Sequence, residues 1–114
     1  MRIDQIFATS GQVRTEDLDW EAAGEAGLAE MEAFALSYFA DIEGQTVYYL
    51  RDLLASGLAD DPDVLGFLTI WSYEEYFHGE ALARLLGACG RPLAAGRGQA
   101  IRRAARSIAE NADA

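Results

Sequence analysis

The sequence predicts an all-α fold: an antiparallel helical hairpin followed by a third helix. Three observations carry this. From Val64 to Cys89 the residues Val64, Leu68, Trp71, Glu75, His78, Leu82, Leu85 and Cys89 recur at alternating steps of four and three, the stripe that a helix turns toward its packing partners. From about Leu18 to Leu54 runs a second stretch rich in alanine and leucine, without proline. No segment shows the period-two alternation of a strand. With 114 residues the chain makes one domain at most, near the lower end of sizes that bury a self-sufficient core.

Residues 1–16 mix Ile3, Ile6 and Phe7 with polar residues and a Gly11 break, without a clean period, and are read as an N-terminal arm. The first helix follows over Leu18–Leu54. At ~1.5 Å per residue it would approach ~55 Å, too long for a small bundle, so Gly24 or Gly27 is expected to mark a kink or a start. Its stripe is Leu36, Ala40, Glu43, Val47, Leu50 and Leu54. Gly57 to Asp61 form the connecting loop, and Asp61-Pro62 is a helix start, with an acid at the cap and proline in the first turn. The second helix runs to about Ala88, where Gly90 and then Pro92 stop it. After a loop over 91–97, Gln99 to about Asn111 carry a weaker stripe of Ile101, Ala104, Ala105 and Ile108, a third helix. Gly87, Gly90, Gly96 and Gly98 follow no strand and match no phosphate-binding spacing, so no nucleotide cofactor is expected.

The formal net charge is −10, which argues against nucleic acid and anionic membrane surfaces as partners. The charge is uneven. Residues 1–90 hold 17 acids and 4 arginines, whereas residues 91–114 hold 5 arginines and 2 acids, so a basic tail follows an acidic body. Lysine is absent, an effect of composition rather than mechanism. No membrane span or signal peptide is evident, and the expected location is cytoplasmic. Cys89 is the single cysteine, which rules out an intrachain disulfide and leaves a small core residue.

Chemistry concentrates where the second helix places Glu75 and the only histidine, His78, on its apolar stripe. Burying an unpartnered polar group costs about 2 kcal/mol or more, so these two side chains require a partner or a metal. At i and i+3 they lie on one face, where a carboxylate oxygen and a ring nitrogen can converge on one cation. Glu74 points roughly 100° away. Glu43 interrupts the first stripe as Glu75 interrupts the second, which makes it the natural third ligand. The separation of 32 positions from Glu43 to Glu75 allows about four turns up, a short loop and four turns back, bringing the two acids level. The plain alternatives are a core histidine bonded to a neighbouring acid and, for Glu43, a half-exposed acid bonded to Tyr48 or Tyr49.

The stretch Trp71-x-x-Glu74-Glu75-x-x-His78-Gly79 resembles the ligand helix of the ferritin-like, carboxylate-bridged diiron proteins, most closely the soluble acyl-carrier-protein desaturases, whose W-x-x-E-E-x-x-H-G pattern it matches at five positions. The resemblance implies that Glu75 and His78 are iron ligands. It extends to Glu43, since the family's first ligand is a Glu followed five residues later by Tyr, here Tyr48. It also implies a four-helix site with two iron ions, built from two Glu and two Glu-x-x-His. Half of that set is absent, and a single histidine allows no second Glu-x-x-His.

The chain then reads as half of a four-helix bundle, completed by a homodimer or by a missing C-terminal half, and its still-helical end favours truncation of a longer parent. The implied function is a non-haem diiron oxidoreductase that activates dioxygen, desaturase-like. The alternatives are a ferritin-like protein that binds and oxidises iron without an organic substrate, and a metal-free helical dimerisation module. An acidic acyl carrier protein as partner would need a local basic face, and Arg97, Arg102, Arg103 and Arg106 form the available cluster. The plain reading of those arginines is a solvated helix face.

Overall fold

Asp61 and Gly90 bound the helix against which every other element but the C-terminal one packs. The Asp61 carboxylate accepts the Asp63 N–H at 2.9 Å, and Pro62, whose missing N–H is no loss in a first turn, opens the helix. At the other end Gly90 takes φ 73°, letting the Arg91 N–H reach the Leu86 carbonyl at 2.8 Å and the Gly90 N–H that of Gly87 at 3.1 Å. These two bonds satisfy carbonyls that a helix end leaves free. The computed structural model describes residues 2–112, and every regular element among them is helical. In order these are α1 (Ile3–Thr9), α2 (Trp20–Ala26), α3 (Glu30–Gly44), α4 (Thr46–Ala55), a 3-10 turn (Leu58–Asp60), α5 (Pro62–Ala88) and α6 (Arg97–Ala112). No described helix is long and apolar enough to cross a membrane.

The expected first helix, Leu18–Leu54, is three helices. Asp19 caps α2 by accepting the Ala22 N–H at 3.0 Å, and Gly27, at φ 69°, separates α2 from α3. Gly24 is no kink. A Cβ there would lie 2.5 Å from the Ala88 carbonyl oxygen, so this glycine lets α2 lie against the end of α5. Glu32 starts α3 by reaching back to the Ala29 N–H at 3.0 Å. A second break falls at Gln45 (φ −115°, ψ 16°), and it resets the helical register. Val47 and Leu54, expected on one stripe with Leu36 and Ala40, are therefore 56% and 44% exposed on α4. At the break the buried Thr46 hydroxyl donates toward the Ile42 and Glu43 carbonyls, at 3.3 and 3.0 Å.

Helices α3 and α5 form the antiparallel pair at the centre. Ala33 and Ala40 pack with Leu86, and Leu28, Leu36, Leu82 and Leu93 close around them. The arm contains α1, which lies on α5 where Gly66 leaves room for Ile3 and Phe7. Beside the Gly24 contact, α2 meets α5 and its cap through the Cys89 thiol, 3.4 Å from the Ala23 carbonyl, and the Arg84 guanidinium, 4.4 Å above the Trp20 ring. The Arg97–Asp41 ion pair ties the start of α6 to α3, and Arg51 on α4 donates to the Ala105 carbonyl at 3.2 Å. The molecule measures 48 × 40 × 19 Å. At about 10 Å per helix that is two layers at most, and large apolar side chains on both faces of the central pair stay uncovered.

Candidate metal centre

Glu43 occupies the last turn of α3, one residue before Gly44, whereas Glu75 and His78 stand one turn apart in the middle of α5, one residue before Gly79. The two glycines touch. A Cβ built on Gly79 would lie 2.6 Å from the Gly44 Cα and 2.8 Å from its nitrogen, so the backbones meet here at a distance that only glycine permits. That contact brings candidate ligands from two helices to one point. His78 Nδ1 lies 3.5 Å from Glu75 Oε1 and 3.8 Å from Glu43 Oε2, and one ligand atom from each of the three residues falls within 4.8 Å of the others.

The buried positions of α5 are Leu68, Ile70, Gly79 and Leu86, of which Leu68, Gly79 and Leu86 fall on one line along the helix. Glu75 borders that line with its side chain 18% exposed, Glu43 is 29% exposed, and His78 stands at the rim at 39%. The site therefore opens at the edge of the α3–α5 contact, not in its centre as the apolar stripe alone implies. Glu74 is not part of the group.

Distances of 3.5 and 3.8 Å are too long for hydrogen bonds from an imidazole N–H to a carboxylate, which favour roughly 2.7–3.0 Å. Among the described residues neither Tyr48 nor Tyr49 donates to Glu43. A first-row divalent ion bound about 2.1 Å from each donor would instead hold donors ~3.0–3.4 Å apart in octahedral or tetrahedral geometry. The two histidine–carboxylate separations are a few tenths of an ångström wider, and the two carboxylates come within 4.8 Å of each other, so side-chain rotations would have to draw the three donors together. Two hard carboxylates and one imidazole suit iron, manganese or zinc, so the residues present fit the ion that the sequence pattern implies.

Electrostatics point the same way. Burial pushes the Glu43 carboxyl above its ordinary range, the Glu75 carboxylate adds to the rise, and His78 partly offsets it. A cation would relieve both desolvation and repulsion.

Two cavities meet this group of side chains at Glu43 and His78. One, of about 470 Å³, is lined by Val13, Phe39, Glu43, His78, Ala81 and Leu82, so the arm and two helices give one side of the site an apolar wall. The other, of about 250 Å³, lies between Glu43, Gly44, Thr46 and Val47 on one side and Ser72 and Tyr76 on the other. Sequence reasoning did not single out Gly44 or Thr46, nor the arm residue Val13. The signal for the glycine pair was present, a glycine directly after a ligand on each helix. Of the arginines expected to form a docking face, Arg97 is paired with Asp41 at 2.7 Å, Arg102 lies half-buried beside Gly98, and Arg103 and Arg106 are exposed. Comparison of the chain with protein-family models, with curated proteins and with solved structures finds no match in any of the three.

Proposed function

We propose that this chain carries the ligand-bearing half of a non-haem iron centre and serves an oxidoreductase that activates dioxygen, of the desaturase-like, carboxylate-bridged diiron type. The observation that carries the reading is the convergence of Glu43, Glu75 and His78 from two helices on one point, held by a glycine contact and without mutual hydrogen bonds. Iron bound here would supply the redox chemistry with dioxygen.

The chain's own residues do the rest. Glu43 and Glu75 provide charge and oxygen donors, and His78 provides a neutral nitrogen. Val13, Phe39, Ala81 and Leu82 line the approach on the His78 side with apolar surface, which limits water near the ligands and suits the hydrocarbon portion of an organic substrate. A second reading, iron binding and oxidation without an organic substrate, is favoured by the exposure of His78, which lets a hydrated ion reach the ligands directly.

Anaerobic titration with ferrous ion, followed by metal analysis and oxygen uptake, tests both readings. Wild-type protein is expected to retain iron and consume oxygen, and His78→Ala to lose most of both. Failure of the wild-type chain to retain iron would sink the metal reading. Oxygen use that rises with an added acyl substrate would select the first reading over the second.

A further inference from the structure

Resting on the reading of an organic substrate above, we propose that a groove roofed by the N-terminal arm leads away from the candidate centre and holds a straight-chain amphiphile whose head carries no negative charge. Val13 sets the length of chain that the inner part admits. The first observation is that the cavity on the His78 side, about 470 Å³, has a neighbour. A second cavity of about 510 Å³ lies next to it on α5, and Val13 and Ala81 line both. One arm residue and one helix residue thus form the narrow point between an inner and an outer cavity.

The roof belongs to the described chain itself. On one side of Val13, Ile3 and Phe7 of α1 occupy the room left by Gly66; on the other, Trp20 lies against Arg84 and Gly24 against Ala88. The arm is therefore tied to α5 at both ends, and residues 10–19 cross the helix between the ties. Beneath them Phe77, Glu80, Ala81 and Arg84 recur at i, i+3, i+4 and i+7, one face of α5. From His78 to Arg84 is about 9 Å along the helix axis, with Ala81 halfway.

The lining changes along this path. At the ligand end Phe39 and Leu82 join Val13 and Ala81, and the outer cavity extends the apolar wall with Phe77 and Ala83. The polar groups of the outer cavity are Gln12, Thr15, Glu16, Glu80 and Arg84. An alkyl chain is accommodated at the first end and a polar head at the second. Charge then selects the head. Two carboxylates stand there against one guanidinium, which already presents its face to the Trp20 ring, and the chain as a whole is formally −10. A carboxylate or phosphate head meets net repulsion, whereas an alcohol or an amine meets hydrogen-bonding partners without it.

Calorimetric titration of the full chain, loaded with manganous ion, with 1-octanol, octylamine and octanoate tests this. Octanol and octylamine should both bind more tightly than octanoate, and 1-hexanol should bind about tenfold more weakly than 1-octanol, since each buried methylene contributes about fourfold. Broadening of the octanol proton resonances by the bound manganous ion should be stronger at the methyl end than beside the hydroxyl. Val13→Trp, which fills the narrow point, should weaken octanol binding about tenfold or more with metal content unchanged, and Ala83→Trp, on the outer cavity alone, should weaken it too. Glu80→Gln, at an exposed position, should strengthen octanoate binding about two- to threefold. Octanoate bound most tightly, broadening strongest beside the hydroxyl, or octanol affinity unchanged in both tryptophan variants would each overturn the inference. Manganous ion bound with no uptake of octanol would overturn it and leave the metal reading standing. Octanol held by the parent and lost in both tryptophan variants, with no manganous ion bound, would remove the metal reading and leave the groove.

Discussion

Replacing Gly79 with alanine separates the site's geometry from the general stability of the helix pair. The added methyl would sit 2.6 Å from the Gly44 Cα, whereas carbon atoms pack at about 3.5–4.0 Å, so α3 and α5 must part by about 1 Å or shift along each other. Overpacking of this kind costs about 1–3 kcal/mol, and alanine returns about 1 kcal/mol through helix propensity. The net change is a destabilisation of about 0–2 kcal/mol, or a fall in Tm of up to about 8 °C for a domain near 100 residues.

Gly87, also in α5, has nothing within 4 Å of an added Cβ, so Gly87→Ala should raise Tm by about 2–4 °C. The metal readout separates the two variants further. A 1 Å separation opens the His78–Glu43 distance from 3.8 Å to nearly 5 Å, and loss of such support costs about 10–100-fold in metal affinity. Calorimetric titration with manganous ion alongside thermal melts would measure both effects. If Gly79→Ala melted as high as Gly87→Ala and bound metal as the parent does, the glycine contact would not be what sets the ligand spacing.

Other perturbations address the ligands and the tail. Glu43→Ala, Glu75→Ala and His78→Ala should each abolish the rise in Tm that metal gives the parent, whereas Glu74→Ala, outside the group, should keep most of it; the reverse pattern for Glu74 and Glu75 would refute the ligand assignment. The Glu43 carboxyl is raised above its ordinary 4.5 by burial and by Glu75, so the fold favours its neutral form. Its contribution to metal-free stability is then complete below pH 4.5 and is lost as pH rises through the raised value. Chemical denaturation across this window should show a downward trend that Glu43→Gln flattens, while metal binding strengthens over the same rise because ion and proton compete. Reversal of Arg102, Arg103 and Arg106 to Glu should abolish association with an acidic acyl carrier protein, and the parent's association should weaken steeply with salt. Association that ignores both salt and the reversal would remove the basic tail as a docking face.

Much of this was legible in the sequence because it was written in local chemistry. The start of α5 follows from Asp61-Pro62, and its end from Gly90. The grouping of Glu43, Glu75 and His78 follows from helical spacing and from the cost of placing charge on an apolar stripe. What stayed hidden depended on tertiary contacts. The Gln45 break has no proline and no positive φ, and the Thr46 hydroxyl bonds that accompany it, to carbonyls three and four residues back, are ones threonine also makes within continuous helices. Helix α1 has too few residues for its period to show, and its apolar side chains meet α5 over Gly66. Gly24 and Gly27 are alike on paper. Only the packing of Ala88 against Gly24 shows which is a contact and which a bend.

The Gln45 break has one more consequence, in the field of the helix itself. Because α3 stops just past Glu43, that carboxylate stands beside the helix's C-terminal carbonyls, where the aligned peptide dipoles leave about half a negative charge. An acid gains at the opposite end of a helix and loses here. The Thr46 hydroxyl and the positive N-terminal pole of α4, which begins at Thr46, each offset part of that field, and only the remainder would add to the pull on a cation at Glu43. Had the backbone run unbroken through α4 to Ala55, the negative pole would lie about 16 Å further along, and Glu43 would be an ordinary mid-helix acid. Ending the helix beside Glu43 would thus let the backbone contribute to the affinity of a bound cation, a contribution that no side-chain substitution reports.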